Sequence, residues 1–291
     1  MTAVPELVLA PTATRRPSAF GTWLRLNRDL WIPGVLLALV ILACFLGPLV
    51  LHVTDPLAQD LESVNLPLFS PSYPLGTDDL GRDTLSRLLY GGRTSIEIAL
   101  AANVLGLFFG GVIGIISGYR GGLTDTLIAR GIDVLVAFPS LVLLLVVASY
   151  LGPSELNVIL AIGFFSIPAY ARLARAATMR LRGLTYVTAA QLGGQKDTVV
   201  MTRHIFPNVL PQLLTYSILH IGIVIVIEAS LSFLGVGVPP PTPSWGTMIS
   251  NGQLYLTTNP LLLLVPSAAL VITVLLFNTV GDAVRERWAK S

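Results

Sequence analysis

Residues 98–119 read IALAANVLGLFFGGVIGIISGY, 22 residues without a charge between Glu97 and Arg120. A helix needs about 20 apolar residues to cross a bilayer, so this window predicts a membrane span. Gly106, Gly110, Gly114 and Gly118 recur along it at every fourth position. They form a smooth ridge against which a neighbouring helix can pack backbone to backbone, a helix-packing rather than a transport feature.

Similar windows flank it. Leu30 to Thr54 gives 25 charge-free residues, Val134 to Ser154 gives 21, and Ile205 to Ile227 gives 23. Leu156 to Ala171 gives only 16, so that span is expected to begin near Ser154. From Ala229 to Gly281 there is no charge in 53 residues, but Gly235-Val-Gly237 and Pro239-Pro-Pro-Thr-Pro243 break any helix there. The fifth span is therefore read at about 210–234, an uncharged loop follows to about Pro260, and the sixth span covers Leu261 to Gly281. The fold class is all-α, a polytopic membrane protein with six transmembrane helices.

Composition agrees. Of 291 residues only 34 are charged (18 Lys+Arg, 16 Asp+Glu), and 53% are apolar. A soluble domain is about 25% charged, so a cytosolic enzyme, a nucleic-acid binder and a disordered chain are excluded. The contacts that such a surface implies are with membrane lipid. The single cysteine, Cys44, allows no intrachain disulfide.

Lys and Arg concentrate on the cytoplasmic side of membrane proteins. With the N-terminus inside, Arg15, Arg16, Arg25, Arg28, Arg120, Arg130, Arg172, Arg175, Arg180, Arg182, Lys196, Arg203, Arg285, Arg287 and Lys290 fall inside, 15 of 18. Arg82, Arg87 and Arg93 fall outside, the first two among Asp78, Asp79 and Asp83. Thr14-Arg15-Arg16 is not a twin-arginine signal, because the apolar run after it is too long and lacks a cleavage site. The organisation expected is a flexible cytoplasmic tail (1–28), a first span (29–54), an external loop (55–93), a five-helix core (94–283) and a cytoplasmic tail (284–291). The core contains a cytoplasmic loop (172–211) and an external loop (236–260).

In the external loop, Thr77 or Asp78 can cap a short amphipathic helix carrying Leu85, Leu88 and Leu89, with Asp83 and Arg87 spaced as an i,i+4 pair. Such a helix lying on the outer surface is either a docking site or a lid over the helix ends. In the cytoplasmic loop, Tyr186 to Leu192 and Asp197 to Phe206 fit two short helices. Gly193-Gly194 lets the chain reverse between them, and Pro207 closes the second. Ala189 and Ala190 leave room for another backbone. This knuckle is either a docking knob or a loop touching headgroups. Near the outer end of span five, Glu228, Ser230 and Ser232 are costly against lipid; they line a polar path or hydrogen-bond between helices.

Catalytic patterns are missing. Neither lysine, Lys196 nor Lys290, sits in a phosphate-binding loop. His52, His204 and His220 belong to no zinc or hydrolase motif, and no metal-ligand cluster is seen. One deep acid is thin support for a proton-driven carrier, and no internal repeat points to a secondary transporter.

Taken in order, several motifs resemble those of the inner-membrane permease subunits of ATP-binding-cassette importers, specifically the C-type subunit of the dipeptide/oligopeptide/nickel group. Thr188-Ala-Ala-Gln-Leu-Gly-Gly194, followed by Arg203-His-Ile-Phe-Pro207, matches the Glu-Ala-Ala loop signature. Tyr73-Pro-Leu-Gly-Thr-Asp-Asp79-Leu-Gly-Arg82-Asp83, Gly118-Tyr-Arg-Gly-Gly122, Ala137-Phe-Pro139 and Glu228-Ala-Ser-Leu-Ser-Phe-Leu-Gly235, running into Pro241-Thr-Pro-Ser-Trp245-Gly246, are similar to marks of the subgroup. The signature's Glu is Thr188 here, which removes one polar docking contact.

The resemblance, covering about residues 30–288, implies a type I ABC importer permease fold in a bacterial inner membrane. It implies a non-catalytic chain that binds no cofactor, with ATP and Mg held by partner ATPase subunits. Its partners would be a homologous B-type permease, two ATPase domains, and an extracytoplasmic substrate-binding protein that delivers a di- or oligopeptide; haem or nickel chelates are the alternative cargo. The ATPase-coupling residues would be Tyr186, Thr188, Ala189, Ala190, Gly193, Gly194, Asp197, Arg203 and Pro207. Asp78, Asp79, Arg82, Asp83, Arg87 and Trp245 would form the external docking surface, and Glu228, Ser230 and Ser232 the path.

Overall fold

The computed structural model describes residues 28–290; the expected N-terminal tail, with Arg15, Arg16 and Arg25, lies outside them. Among the described residues the chain is helical, with isolated bridges but no strand. Five helices are long and apolar enough to cross a membrane, and a bent pair makes a sixth.

Helix α1 (Arg28–Val50) is followed by an irregular segment to Asp83. Helix α2 (Thr84–Arg120) has 37 residues, about 55 Å at 1.5 Å per residue. It outruns the roughly 30 Å hydrocarbon core. The short external helix expected around Leu85–Leu89 is therefore not a separate element but the first turns of α2. Nothing between Arg93 and Glu97 breaks the helix, and their i,i+4 ion pair at 2.9 Å bridges the join. The N-cap is Asp83, not Thr77 or Asp78.

The third span also differs from expectation. Instead of one helix over 134–154, α3 (Gly122–Val136) and α4 (Ser140–Leu151) meet at 82°. The cause lies in the expected window itself. Pro139 disfavours helical backbone at Phe138 and has no N–H to donate. At the other end of α4 the chain turns into α5 (Glu155–Arg182), and Asn157 Nδ2 donates to the carbonyls of Leu151 (2.8 Å) and Gly152 (3.1 Å).

After α5 come α6 (Thr185–Leu192) and α7 (Asp197–Val200). A π-helical turn (Met201–Ile205) carries α7 without interruption into α8 (Phe206–Phe233). The closure expected at Pro207 does not occur. The Phe206 N–H reaches back five residues to the Met201 carbonyl, and this extra residue lets the helix pass a proline that would clash in α-helical register. The loop expected over 236–260 contains α9 (Trp245–Gly252) and a 3₁₀ turn (Gln253–Tyr255), and α10 (Leu261–Lys290) is the last described helix.

The glycine ridge of α2 lies against α5. A Cβ on Gly106 would stand 2.5 Å from Ser166 Cβ, and one on Gly110 would stand 2.5 Å from Tyr170 Cβ. One on Gly114 would strike the Ala171 carbonyl, and one on Gly118 would come within 2.7 Å of the Arg175 carbonyl. The two backbones meet along four turns, the close approach that small residues permit. Around this seam are two apolar cores. One holds Ile96, Ala99, Ile162, Ile225, Leu231 and Trp245. The other holds Ile115, Tyr119, Tyr170, Val187, Val200 and Ile205, at the opposite end of the bundle.

Candidate functional site

The reversal between α6 and α7 is a small, complete motif. Gly194 adopts φ +76°. Its N–H bonds the Gln191 carbonyl at 3.0 Å, and the Gln195 N–H bonds the Ala190 carbonyl at 3.2 Å. These are the two bonds of a Schellman cap, whose C′ residue is left-handed and favours glycine. No atom lies within 4 Å of where a Gly194 Cβ would be, so positive φ alone calls for glycine here.

The knuckle is seated on the bundle by two valines. Val187 and Val200 are fully buried among Tyr119, Ile205, Val209 and Leu213, and burying each side chain stabilises the seat by about 2 kcal/mol. Tyr119, in the last turn of α2, adds a polar tie. Its hydroxyl donates to Asp197 Oδ1 at 2.9 Å and accepts from Gln191 Nε2 at 3.1 Å. Across the turn, His204 Nε2 lies 3.0 Å from Gln195 Oε1.

Of the expected coupling residues, Tyr186, Thr188, Ala189, Gly193, Gly194, Arg203 and Pro207 are exposed on this surface, and Ala190 is half-buried. Asp197 is exposed as well, and its Oδ1 accepts from Tyr119. Thr188, where the signature has an acid, donates its hydroxyl to the Leu184 carbonyl at 3.3 Å. Sequence reasoning missed the apolar part of the face. Leu192 is 84% exposed, with Leu184, Val199 and Phe206 also exposed beside the expected Tyr186. Clustered exposed apolar side chains beyond the ends of the spans mark an interaction surface. Tyr119 was also missed, although Gly118-Tyr-Arg-Gly121-Gly122 had been singled out.

The opposite end is built differently. Asp78 Oδ1 accepts the backbone N–H groups of Leu80 (3.0 Å) and Arg82 (2.9 Å), and its Oδ2 accepts Arg82 Nε at 2.7 Å. Arg87 Nε lies 3.5 Å from the same Oδ2, and Arg87 Nη1 donates to the Pro56 carbonyl at 3.1 Å. Asp83 Oδ1 caps α2 through the Leu85 N–H at 2.9 Å. Burial pushes the Asp83 carboxyl up from its ordinary value, and the backbone N–H groups of Leu85 and Ser86 pull it down.

Arg82, Asp83 and Arg87 are thus buried and fold the 51–83 segment onto α2 rather than presenting an external docking face. Only Asp79 of the acidic pair keeps substantial exposure, with its Oδ1 3.8 Å from Arg82 Nη2. The expected Asp83–Arg87 ion pair is absent: Arg87 turns to Asp78, and Asp83 is used as a cap.

Trp245 is likewise not at the surface. It is 1% exposed, its N–H donates to Ser95 Oγ at 3.2 Å, and its Nε1 donates to the Leu88 carbonyl at 3.1 Å. Gly92 leaves the space its ring fills. An apolar ring with a polar handle, following a proline-broken loop, serves here as a pin between α9 and α2.

The expected path residues divide as well. Glu228 is 0% exposed and accepts a hydrogen bond from Ser232 Oγ at 2.7 Å; Ser95 and Ser244 lie beside it. Ser232 Oγ in turn accepts the Val238 N–H at 3.1 Å. These two side chains join elements within the chain and do not line a path at its surface. Ser230 is half-buried, and its hydroxyl donates to the Val226 carbonyl at 2.7 Å.

A second interior polar cluster escaped the sequence reading because its members are scattered over three spans. Asn103 Oδ1 accepts from Tyr170 Oη (2.5 Å) and lies 3.0 Å from His220 Nδ1, while Asn103 Nδ2 donates to Ser217 Oγ at 2.6 Å. Satisfied polar groups at this depth fix how α2, α5 and α8 cross. Among the described residues no group of three metal-ligating side chains is found.

Residues 110–290 match the family described as binding-protein-dependent transport system inner membrane component. The dipeptide transport system permease protein DppC of Haemophilus influenzae is 39% identical over 272 residues, 92% of either chain. The glutathione transport system permease protein GsiD of Pectobacterium atrosepticum is 39% identical over 217 residues, 75% of this chain and 72% of that protein. The probable D,D-dipeptide transport system permease protein DdpC of Escherichia coli K12 is 36% identical over 274 residues, 94% of this chain and 91% of that protein. Among solved structures, an amino acid ABC transporter superimposes with a TM-score of 0.51 at 16% identity, covering 69% of this chain and 94% of that one. The MetNI methionine ABC transporter gives 0.50 at 19% identity, covering 68% and 97%; both likenesses bear on the fold alone. Spans, knuckle and sequence likeness agree, and the chain belongs to the inner membrane components of binding-protein-dependent transport systems, as a multi-pass permease.

Proposed function

We propose that this chain is one of two permease subunits of an ATP-driven peptide importer. The observation that carries the reading is the knuckle: a stiff glycine-capped reversal, seated on α2 and α8, that presents exposed apolar side chains beyond the spans. A surface of this kind suits a motor that pushes on it from outside the membrane. Tyr186, Thr188, Ala189, Leu192 and Arg203 form the face that meets an ATPase subunit. Gly194, Val187 and Tyr119 keep it rigid enough to pass force into α2 and α8.

The remaining parts follow the family. A homologous permease completes the passage, a second ATPase domain serves that partner, and an extracytoplasmic binding protein delivers cargo. The ATPases hydrolyse ATP, and this chain carries no catalytic group. The distribution of Lys and Arg supports a cytoplasmic knuckle and cytoplasmic termini, with 51–83 and 234–260 outside. The names of the relatives, dipeptide and glutathione permeases, favour peptides over haem or nickel chelates as cargo.

The test is cross-linking in the assembled complex. A cysteine in a Thr188→Cys variant should join to a cysteine in the ATPase, and an impermeant thiol reagent added outside cells should not reach it. Labelling from outside would invert the topology, and a failure to join any ATPase would remove the coupling assignment.

A further inference from the structure

A cavity of about 870 Å³ opens between α5, α8 and α10 at the knuckle end of the bundle. Its lining changes character with depth. Arg180, in the last turn of α5, and Arg285, near the end of α10, line its knuckle-side half with Gln212. Leu173, Tyr216 and Leu219 line it one to two helical turns further toward the middle of the spans. Arg180 Nη2 donates to Gln212 Oε1 at 3.2 Å, and neither arginine makes an ion pair among the described residues. No Asp or Glu is among the lining residues.

We propose that this cavity is a binding site for an anionic phospholipid, its phosphate held by Arg180, Arg285 and Gln212 and its acyl chains against Leu173, Tyr216 and Leu219. Three features favour this occupant. Arg285 lies four residues past the charge-free segment of α10 and Arg180 nine residues past that of α5, beyond Arg172 and Arg175, so both stand on the polar side of the hydrocarbon, toward the headgroups. Basic pockets between spans attract anionic headgroups, and arginine offers the paired donors that a phosphate accepts. An apolar floor beneath a cationic rim repeats the polarity of a lipid. A peptide in transit fits less well: its carboxylate would be matched, but its ammonium would meet two cations and no acid.

The site reaches the base of the knuckle, since Leu184 and Pro207 also line it. A lipid held there packs against the seat through which α5 and α8 support the coupling face. The inference rests on membrane embedding and not on the identity of the cargo.

The test is native mass spectrometry of the full chain released from bilayers of phosphatidylglycerol and phosphatidylcholine. The unaltered chain should retain phosphatidylglycerol in preference to phosphatidylcholine. Each cation is worth about a fivefold factor near an anionic headgroup, so Arg180→Gln with Arg285→Gln should lower that preference about 25-fold. The charge-keeping pair Arg180→Lys with Arg285→Lys should keep most of it. Glycerophosphate without acyl chains should not displace the lipid. Equal retention of the two lipids by the unaltered chain overturns the proposal without any variant. So does an undiminished preference in the double Gln variant, displacement by glycerophosphate alone, or displacement by a soluble dipeptide, which would make the cavity a cargo site. Peptide uptake by the assembled transporter, measured separately, reports on the importer reading whichever way the lipid result falls.

Discussion

The two ends of the bundle handle polar residues in opposite ways. At one end the charges fold inward: Arg82, Asp83 and Arg87 are buried, Asp78 is satisfied by backbone and guanidinium donors together, and Trp245 pins α9 to α2. At the other end apolar groups turn outward, with Leu192 at 84% exposure on a knuckle whose own interior is only two valines and a tyrosine tie. The closure is of charges only, since Phe69 (87%), Leu61 (74%) and Leu254 (76%) stay exposed at that end. Residue type on a loop does not reveal its burial: the charges at 82–87 are spent within the chain, while Leu192 on the knuckle stays exposed.

Substitutions at the two ends should therefore fail differently. Trp245→Ala empties the pin and should lower stability by about 4 kcal/mol, read as an early thermal transition and poor yield in detergent; a stable, normally folded variant would show that the closed end does not depend on it. Gly194→Val forces a β-branched residue into positive φ at a cost of about 2 kcal/mol. The protein should still insert, but peptide uptake should be lost. Normal uptake in that variant would separate the knuckle from coupling. Tyr119→Phe removes one hydroxyl from between Asp197 and Gln191 and should cost about 1 kcal/mol. Its signature is ATP hydrolysis by the assembled transporter that is less strongly tied to uptake; unchanged coupling would reduce the tie to local packing.

Much of the fold was legible in the sequence because bilayer crossing imposes a length and excludes charge. The windows around α1, α2, α5, α8 and α10 followed from that alone. The breaks were harder, since a proline's effect depends on what the neighbouring backbone can do. Pro139 splits the third span, Pro207 is passed by a π turn, and Pro168 and Pro266 remain inside helices. The glycine turn of the knuckle was legible because positive φ is a local demand. The burial of Arg87 and Trp245 was not, because it depends on residues 31 to 157 positions away: Pro56 and Leu88. The Asn103–Tyr170–His220 cluster spans 117 positions and leaves no motif at all.

The π turn at Met201–Ile205 sets an angular register. One residue more than an α-helical turn separates the knuckle from α8, and each residue of helix subtends about 100°. Removing a single residue there would restore a regular helix into Pro207 and swing the leucine-bearing face about a quarter of the way round the axis. The direction in which the knuckle faces is thus encoded in one surplus peptide unit.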